Sequence, residues 1–336
     1  MTTLLEVDGL VTHFPLPRGL TGTLRRVPRR VVRAVDGISF TVGAGELVAL
    51  VGESGSGKTT TAQSVLRVVD PSAGTVRFRG QDITALDRRA LKPVRRRMQV
   101  VYQDPYESLD PRFRIGRSVA EPLVVHRIGT RAERRDLVLA ALERAGLAPA
   151  ERFAGRYPHE LSGGQRQRAA IAAALVLGPD LLIADEPVSM LDVSVRAGVL
   201  SVLEELRRDG LGILMITHDL STAVHHADRI AVMYLGRILE EGPAAEVVRN
   251  PSHPYTRALV AAVPRTGGSR RDIGISPGDA PDPGNVPGGC RFHPRCPLAI
   301  DECAHTDPAL AGPAAHRAAC PITRHQETTC EQSLPR

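Results

Sequence analysis

The sequence predicts an α/β fold built around a parallel sheet, and three observations carry that reading. Short apolar runs of strand length lie at 46–52 (ELVALVG), 180–186 (DLLIADE) and 212–218 (GILMITH), the first ending in glycine and the others in polar residues. Runs without alternation suit strands buried on both faces. Helical segments separate them: one starts at Lys58 and stops before Asp70-Pro71, and another covers about Ser162 to Leu177 and stops at Gly178-Pro179. A proline pushes the residue before it out of the α region, so both pairs read as helix ends. Finally, a glycine-rich loop joins the first run to the first helix. In such folds ligands gather at the carboxyl ends of the strands.

Taken in order, the chain opens on MTTLLEVDGL, which lacks a basic leader region and carries Glu6 and Asp8 early. It does not read as a secretory signal, and the expected location is the cytosol. Arg18, Arg25, Arg26, Arg29, Arg30 and Arg33 then stand against those two acids, a net of +4 over residues 1–35. This stretch reads either as a solvated loop or as a basic surface for anionic headgroups or nucleotide. Residues 106–160 hold no strong strand run and one clear helical stretch, about Arg131 to Ala145, so they read as a small helical insertion. From Pro264 to Gly289 the chain is rich in Gly and Pro, which marks a linker or irregular loop. The five cysteines all follow it, and the tail after Pro321 reads as unstructured.

Composition sets outer limits. At 336 residues the chain has room for two domains, or one with an appendage. Hydrophobic residues at 42% and charged residues at 24% argue against a largely disordered chain. A mean hydropathy of −0.11, with no uncharged apolar run of spanning length, argues against an integral membrane protein. The sequence pI near 9.4 permits nucleic-acid binding. However, Trp is absent and aromatics are 3%, which argues against base-stacking platforms, and no recognition motif is present. Lys58 and Lys92 are the only lysines among 43 Lys and Arg residues, so a compact point charge is marked where Lys stands.

Three motifs carry chemistry. Gly52-Glu53-Ser54-Gly55-Ser56-Gly57-Lys58-Thr59, followed by Thr60, fits G-x-x-x-x-G-K-[ST] between a strand and a helix. Glycines let backbone N–H groups turn inward around an anion, and the helix dipole adds to the attraction. Lys58 would reach the β- and γ-phosphates and the Thr59 hydroxyl would hold Mg²⁺. Asp185 and Glu186 end the second apolar run. Asp185 would hold Mg²⁺, and Glu186 would orient or deprotonate the attacking water. Ser162-Gly163-Gly164-Gln165 opens a helix, with Ser162 as N-cap. One site rarely needs two phosphate-binding helix starts, so the second one suggests presentation in trans by another subunit.

Over roughly residues 1–250 these motifs, in this order, resemble those of the ATP-binding cassette (ABC) ATPases: the P-loop, LSGGQ at 161–165, LLIADEP and ITHD. The resemblance implies a P-loop NTPase nucleotide-binding domain with a RecA-like core, an antiparallel β subdomain and a helical insertion. It implies that Gln103 touches Mg²⁺ or water, that Asp192 in SMLD crosses a dimer interface, that His218 contacts the γ-phosphate, and that Phe14 stacks on adenine. Met190 departs mildly from the family's SALD, and IAAAL at 171–175 lacks an arginine often found there. The family works as a head-to-tail pair with ATP sandwiched between one subunit's P-loop and the other's LSGGQ. This chain would therefore need a second cassette subunit and two membrane permease subunits.

YQDPYESLDPR (102–112), YPHELSGGQRQR (157–168), VMYLGRILEEGP (232–243) and NPSHPYTRALVAAVP (250–264) are similar to the peptide and nickel importers of that family. The resemblance divides the chain into a cassette, 1–255, and a C-terminal extension, 256–336. It implies import of oligopeptides or dipeptides, an extracytoplasmic binding protein as a further partner, and a peripheral place on the cytoplasmic face of the inner membrane. Import of nickel, or a non-transport role on nucleic acid or the ribosome, are the competing readings. Cys290, Cys296, Cys303 and Cys320, at intervals x5, x6 and x16, suggest a metal site. Zinc sites more often use shorter spacings, and some relatives carry a four-iron cluster at such cysteines. A 4Fe–4S cluster, Zn²⁺ and free thiols all remain open.

Overall fold

The structure is a computed structural model in which residues 2–16, 30–104, 108–263, 282–313 and 315–322 are described. The arginines at 18, 25, 26 and 29, the stretch 264–281 of the expected linker, and the tail from 323 with Cys330 lie outside them. In chain order the strands are β1 Thr3–Pro15, β2 Val31–Gly43, β3 Leu47–Val51, β4 Ala73–Phe78, β5 Gln81–Asp82, β6 Met98–Val101, β7 Leu181–Asp185, β8 Gly212–Thr217, β9 Arg229–Tyr234, β10 Arg237–Pro243 and β11 Arg317–Ala318. The helices are α1 Lys58–Val65, α2 Arg88–Arg97, α3 Ile115–Val125, α4 Arg131–Arg144, α5 Ala150–Ala154, α6 Gly163–Leu175, α7 Val193–Arg208, α8 Leu220–His226, α9 Ala244–Arg249, α10 Pro254–Ala262 and α11 Asp301–His305. A four-stranded sheet has the order β2-β1-β4-β5, and a seven-stranded sheet has the order β11-β10-β9-β3-β8-β7-β6. The three apolar runs of the sequence are β3, β7 and β8, and every residue in them is buried.

The chain divides into two compact units. One comprises Met1–Glu6, Thr41–Val48 and Arg77–Thr217; the other comprises Val7–Phe40, Ala49–Val76 and His218–Arg336. In the first unit β6, β7 and β8 run parallel, with Met98 opposite Leu181 and Leu181 opposite Gly212. Helix α7 buries Val199, Leu200, Val202, Leu203 and Leu206, the spacing of a single apolar face. The sequence showed one helix in 106–160, and the described residues there include α3, α4 and α5. Helix α3 was obscured by Gly116 and Pro122 and by the lack of a side-chain cap, while α5 is a single turn. Helix α4 begins as its sequence promised, with a capping box between Thr130 and Glu133.

In the second unit β9 and β10 form a hairpin in which Tyr234 faces Arg237. Its two turn residues, Leu235 and Gly236, have φ of 43° and 81°. Two positive φ values make the turn follow the right-handed strand twist. The cysteine-bearing segment adds β11 antiparallel to β10, with Ala318 opposite Glu240 and Arg317 opposite Glu241. That pairing explains two acids in a buried strand. Glu240 is fully buried and accepts from the N–H groups of Ser252 and His253, both at 2.8 Å, while His316 Nε2 lies 2.7 Å away. Glu241 receives the Arg317 Nε proton at 2.9 Å. Helix α1 ends at Val65, earlier than the Asp70-Pro71 stop expected from sequence. Arg67 takes a φ of 54° and its buried guanidinium turns back to Asp70 at 2.8 Å, which closes the helix.

Candidate functional site

In the second unit, β3 delivers the chain to Gly52 and α1 leaves from Lys58. Both flanking glycines are required by their neighbours. A Cβ on Gly52 would lie 2.1 Å from the Met233 carbonyl oxygen, and one on Gly57 would lie 2.0 Å from that of Ala34. Gly57 also has a φ of 104°, which L side chains avoid. Lys58 is 7% exposed. Its Nζ donates to the carbonyls of Gly52 at 2.8 Å and Glu53 at 2.9 Å, and to Ser56 Oγ at 3.4 Å. The ammonium is thus held at the loop before any anion arrives. Ser54, Gly55 and Thr59 are exposed, and Thr60 is half-buried with its carbonyl accepting from Ser64 Oγ.

Glu53 behaves differently from the other loop residues. Its N–H donates to the Tyr255 hydroxyl at 3.0 Å, and its carboxylate accepts from Arg295 Nη1 at 2.9 Å. This N–H is therefore committed to the protein. Tyr234, Tyr255 and Phe292 form an aromatic cluster around those contacts, with ring centroids 4.7–5.6 Å apart. His253 caps α10 by accepting from the Tyr255 N–H at 3.0 Å. Burial, helped by Arg257, drives its pKa down to about 3, so the ring is neutral, with its proton on Nε2. Burial raises the Tyr255 phenol as well, and the Glu53 charge adds to that. Burial works against the Arg295 charge, but its bonds to Glu53 and Tyr234 prevail and raise its pKa.

A second network ties the same segment to β2. Arg291, 4% exposed, donates to the Leu235 carbonyl and to Asp36, whose other oxygen is 2.9 Å from His13 Nε2. Burial opposes the Asp36 charge; the bonds from Arg291 and His13 outweigh it, so the carboxyl titrates below its usual range. Phe14, next to His13, lies one residue before the end of β1 with 38% of its surface open. His218 is exposed just after β8, and Asp219 caps α8.

In the first unit, Asp185 ends β7 at 6% exposure. Glu186 follows with a φ of 51°, rare for a residue with a side chain. The conformation is held by its N–H donating to the Ile216 carbonyl at 2.9 Å and by its own carbonyl accepting from Ser189 Oγ at 3.1 Å. Gln103 is exposed just beyond β6. Ser162 caps α6: its N–H donates to Gln165 Oε1 at 3.0 Å, and its Oγ accepts from the Gln165 N–H at 3.3 Å. Gly164 allows the close approach of α7, since a Cβ there would meet Val195 at 2.1 Å, whereas one on Gly163 would meet Leu191 at a tight 3.3 Å. Asp192 is exposed at the start of α7, flanked by Met190 at 61% and Val193 at 80% exposure.

The four cysteines at 290, 296, 303 and 320 form no disulfide, and three are buried while Cys296 is half-buried. The Cys290 N–H donates to the Cys303 carbonyl at 2.8 Å. Burial first, then the nearby Cys303, Cys320 and Cys296, pushes the Cys290 thiol up to about 11. Even so, no group of three or more His, Cys, Asp or Glu side chains is drawn in to the spacing one metal ion needs among the described residues. The expected cysteine metal site is therefore not formed among the described residues.

Sequence reading missed Arg295, Tyr255, Tyr234, Phe292, Arg291 and Asp36. Five of these lie in stretches already notable for their resemblance (CRFHPRC, HPY, MYLG), but nothing in the one-dimensional pattern pairs them with the loop at 52–59.

Comparison with known proteins agrees with this geometry. The family described as ABC transporter matches residues 35–189, and the oligopeptide/dipeptide transporter C-terminal region matches 239–303. A probable peptide ABC transporter ATP-binding protein of Sinorhizobium fredii is 46% identical over 322 residues, which is 95% of this chain and 90% of that one. The oligopeptide transport ATP-binding protein AppF of Bacillus subtilis is 45% identical, covering 95% of this chain and 97% of its own. The dipeptide transport ATP-binding protein DppF of Haemophilus influenzae is 42% identical, covering 92% and 93%. Among solved structures, the dimeric cassette MJ0796 bound to ADP and phosphate matches with a TM-score of 0.62 at 28% identity, covering 72% of this chain and 99% of that one. CbiO1 of Clostridium perfringens matches at 0.63 and 29%, covering 74% and 92%. The fold and the phosphate loop thus define a P-loop ATPase of the cassette type. The chain belongs to the ABC transporter ATP-binding proteins, in the group bearing the oligopeptide/dipeptide C-terminal region.

Proposed function

We propose that this ATPase powers import of oligopeptides or dipeptides; the names of its relatives speak of peptide import, oligopeptide transport and dipeptide transport. The observation that carries the reading is the cassette followed by the oligopeptide/dipeptide C-terminal region in one chain. The cassette spans 1–255 with its helical insertion at about 106–160, and the extension spans 256–336. The working assembly is two cassettes, this chain with itself or a paralogue, on two permease subunits served by an extracytoplasmic binding protein. Among the described residues no helix is long and apolar enough to cross a membrane. The chain would be held at the cytoplasmic face by its permease partners.

In this reading Mg·ATP is the substrate. The loop at 54–60 and the Lys58 ammonium take the phosphates, while Gly52 and Glu53 hold the loop in place. Thr59, Gln103 and Asp185 are the oxygen donors for the magnesium, and hard oxygen donors suit that ion. Glu186 accepts the proton of the attacking water, and His218 stabilises charge on the γ-phosphate. Ser162, Gly163, Gly164 and Gln165 serve the nucleotide of the partner cassette, Asp192 lies at the dimer contact, and Phe14 stacks on adenine. Cys290, Cys296, Cys303 and Cys320 would be the thiolates of a 4Fe–4S cluster, a reading supported by their clustering in sequence.

The test of the chemistry is Glu186→Gln. It retains ATP binding and loses steady-state hydrolysis by on the order of 100-fold or more. Wild-type turnover in that variant would remove Glu186 from the role of base.

A further inference from the structure

The phosphate loop carries an acid where an acid is unwelcome. Glu53 sits between Gly52 and Ser54 in the loop, and its own carbonyl holds the Lys58 ammonium at 2.9 Å. The carboxylate is one-third exposed, and the cation that meets it comes from far along the chain: Arg295, 15% exposed, at 2.9 Å. Arg295 also donates to the Tyr234 hydroxyl at 3.3 Å, and its guanidinium lies 5.9 Å from that ring's centre. It ends a tight turn, His293–Arg295, bracketed by cysteines. The N–H and Nδ1 of His293 both engage the Cys290 carbonyl, and Cys296 follows directly, its N–H donating to the His293 carbonyl at 3.2 Å. Phe292, fully buried, packs on both Tyr234 and Tyr255 and seats the turn.

We propose that Arg295 is a positioning residue for nucleotide binding: it neutralises Glu53 and fixes its side chain at the protein, so that the cysteine-bearing segment sets the affinity of the loop for ATP. The proposal rests on the phosphate-loop reading of residues 52–59. Without Arg295 the loop that receives the triphosphate would carry an uncompensated negative charge. Like charges at short range in a partly buried site repel more strongly than in water. The Tyr255 hydroxyl still holds the Glu53 N–H at 3.0 Å, so the backbone keeps one of its two anchors. The defect is therefore one of charge, and removing the acid as well should repair it.

The experiment is a cycle on the full chain: wild type, Arg295→Gln, Glu53→Gln and the double variant. Binding of Mg·ATP is measured by calorimetry, and KM and kcat by phosphate release. Arg295→Gln is expected to weaken ATP binding and raise KM by on the order of tenfold, ~1.4 kcal/mol, with kcat within about twofold. The double variant is expected to recover most of that loss, which a merely structural role for Arg295 would not produce. Arg295→Lys, which keeps the charge, should stay nearer wild type. Lys58→Ala serves as the control for the underlying reading. If Lys58→Ala loses ATP while Arg295→Gln binds as wild type, neutralisation is overturned and the phosphate loop stands. A double variant as weak as Arg295→Gln also overturns it. If Lys58→Ala binds ATP as wild type, the phosphate-loop reading falls and the proposal falls with it.

Discussion

Asp36→Asn tests whether the cysteine-bearing segment is anchored by a buried charge pair. Arg291 is 4% exposed and Asp36 14%, and they are joined by a direct hydrogen bond. A guanidinium cannot discard its proton, so removing the acid leaves a charge that is buried and uncompensated. Breaking a buried pair from one side costs about 3–5 kcal/mol. At ~2.1 cal/mol/K per residue over 336 residues, the melting entropy is about 0.7 kcal/mol/K, so Tm should fall by about 4–7 °C when the chain melts as one cooperative body. Arg291→Met added to Asp36→Asn removes the stranded charge and should restore part of that loss. The assay is calorimetry or fluorescence-monitored melting at neutral pH. The sign with pH follows from the depressed Asp36 pKa. Its contribution is complete above the ordinary carboxylate value of 3.8 and is lost as pH falls through the lower folded value. The gap between wild type and variant should therefore persist down to about pH 4 and close only below it. A Tm for Asp36→Asn within about 1 °C of wild type would refute the anchoring argument, as would a double variant less stable than the single one.

Gly57→Ala forces a Cβ to within 2.0 Å of the Ala34 carbonyl oxygen at a φ of 104°. Strain at such a φ and overpacking each cost about 1–3 kcal/mol, so the variant should lose ATP binding in calorimetry and melt several degrees lower. Val193 is 80% exposed beside Asp192. In a Glu186→Gln background, Val193→Asp should weaken ATP-driven dimerisation by on the order of tenfold, read by analytical ultracentrifugation, since burial of a valine contributes about 1.5–3 kcal/mol. Anaerobic purification should give about four irons per chain with absorbance at about 400 nm, lost in Cys296→Ser. One zinc per chain, or no metal, would remove the cluster.

What the sequence by itself determined is local. Three apolar runs became β3, β7 and β8 because strands buried on both faces need no partner-specific pattern to be recognised. Ser162 announced a helix start because an N-cap acts within the helix's own first turn. Gly57 was legible because a positive φ constrains residue type at one position. The tertiary structure alone decided the rest. Helix α3, with a proline and a glycine inside, is held by packing against α6 and not by propensity. The acids Glu240 and Glu241 look misplaced in a buried strand until β11 brings His316 and Arg317 to them. Glu53 and Arg295 are 242 residues apart, and Asp36 and Arg291 are 255 apart. An ion pair depends on distance in space, which a single sequence does not encode, so these contacts could be found only once the chain had folded.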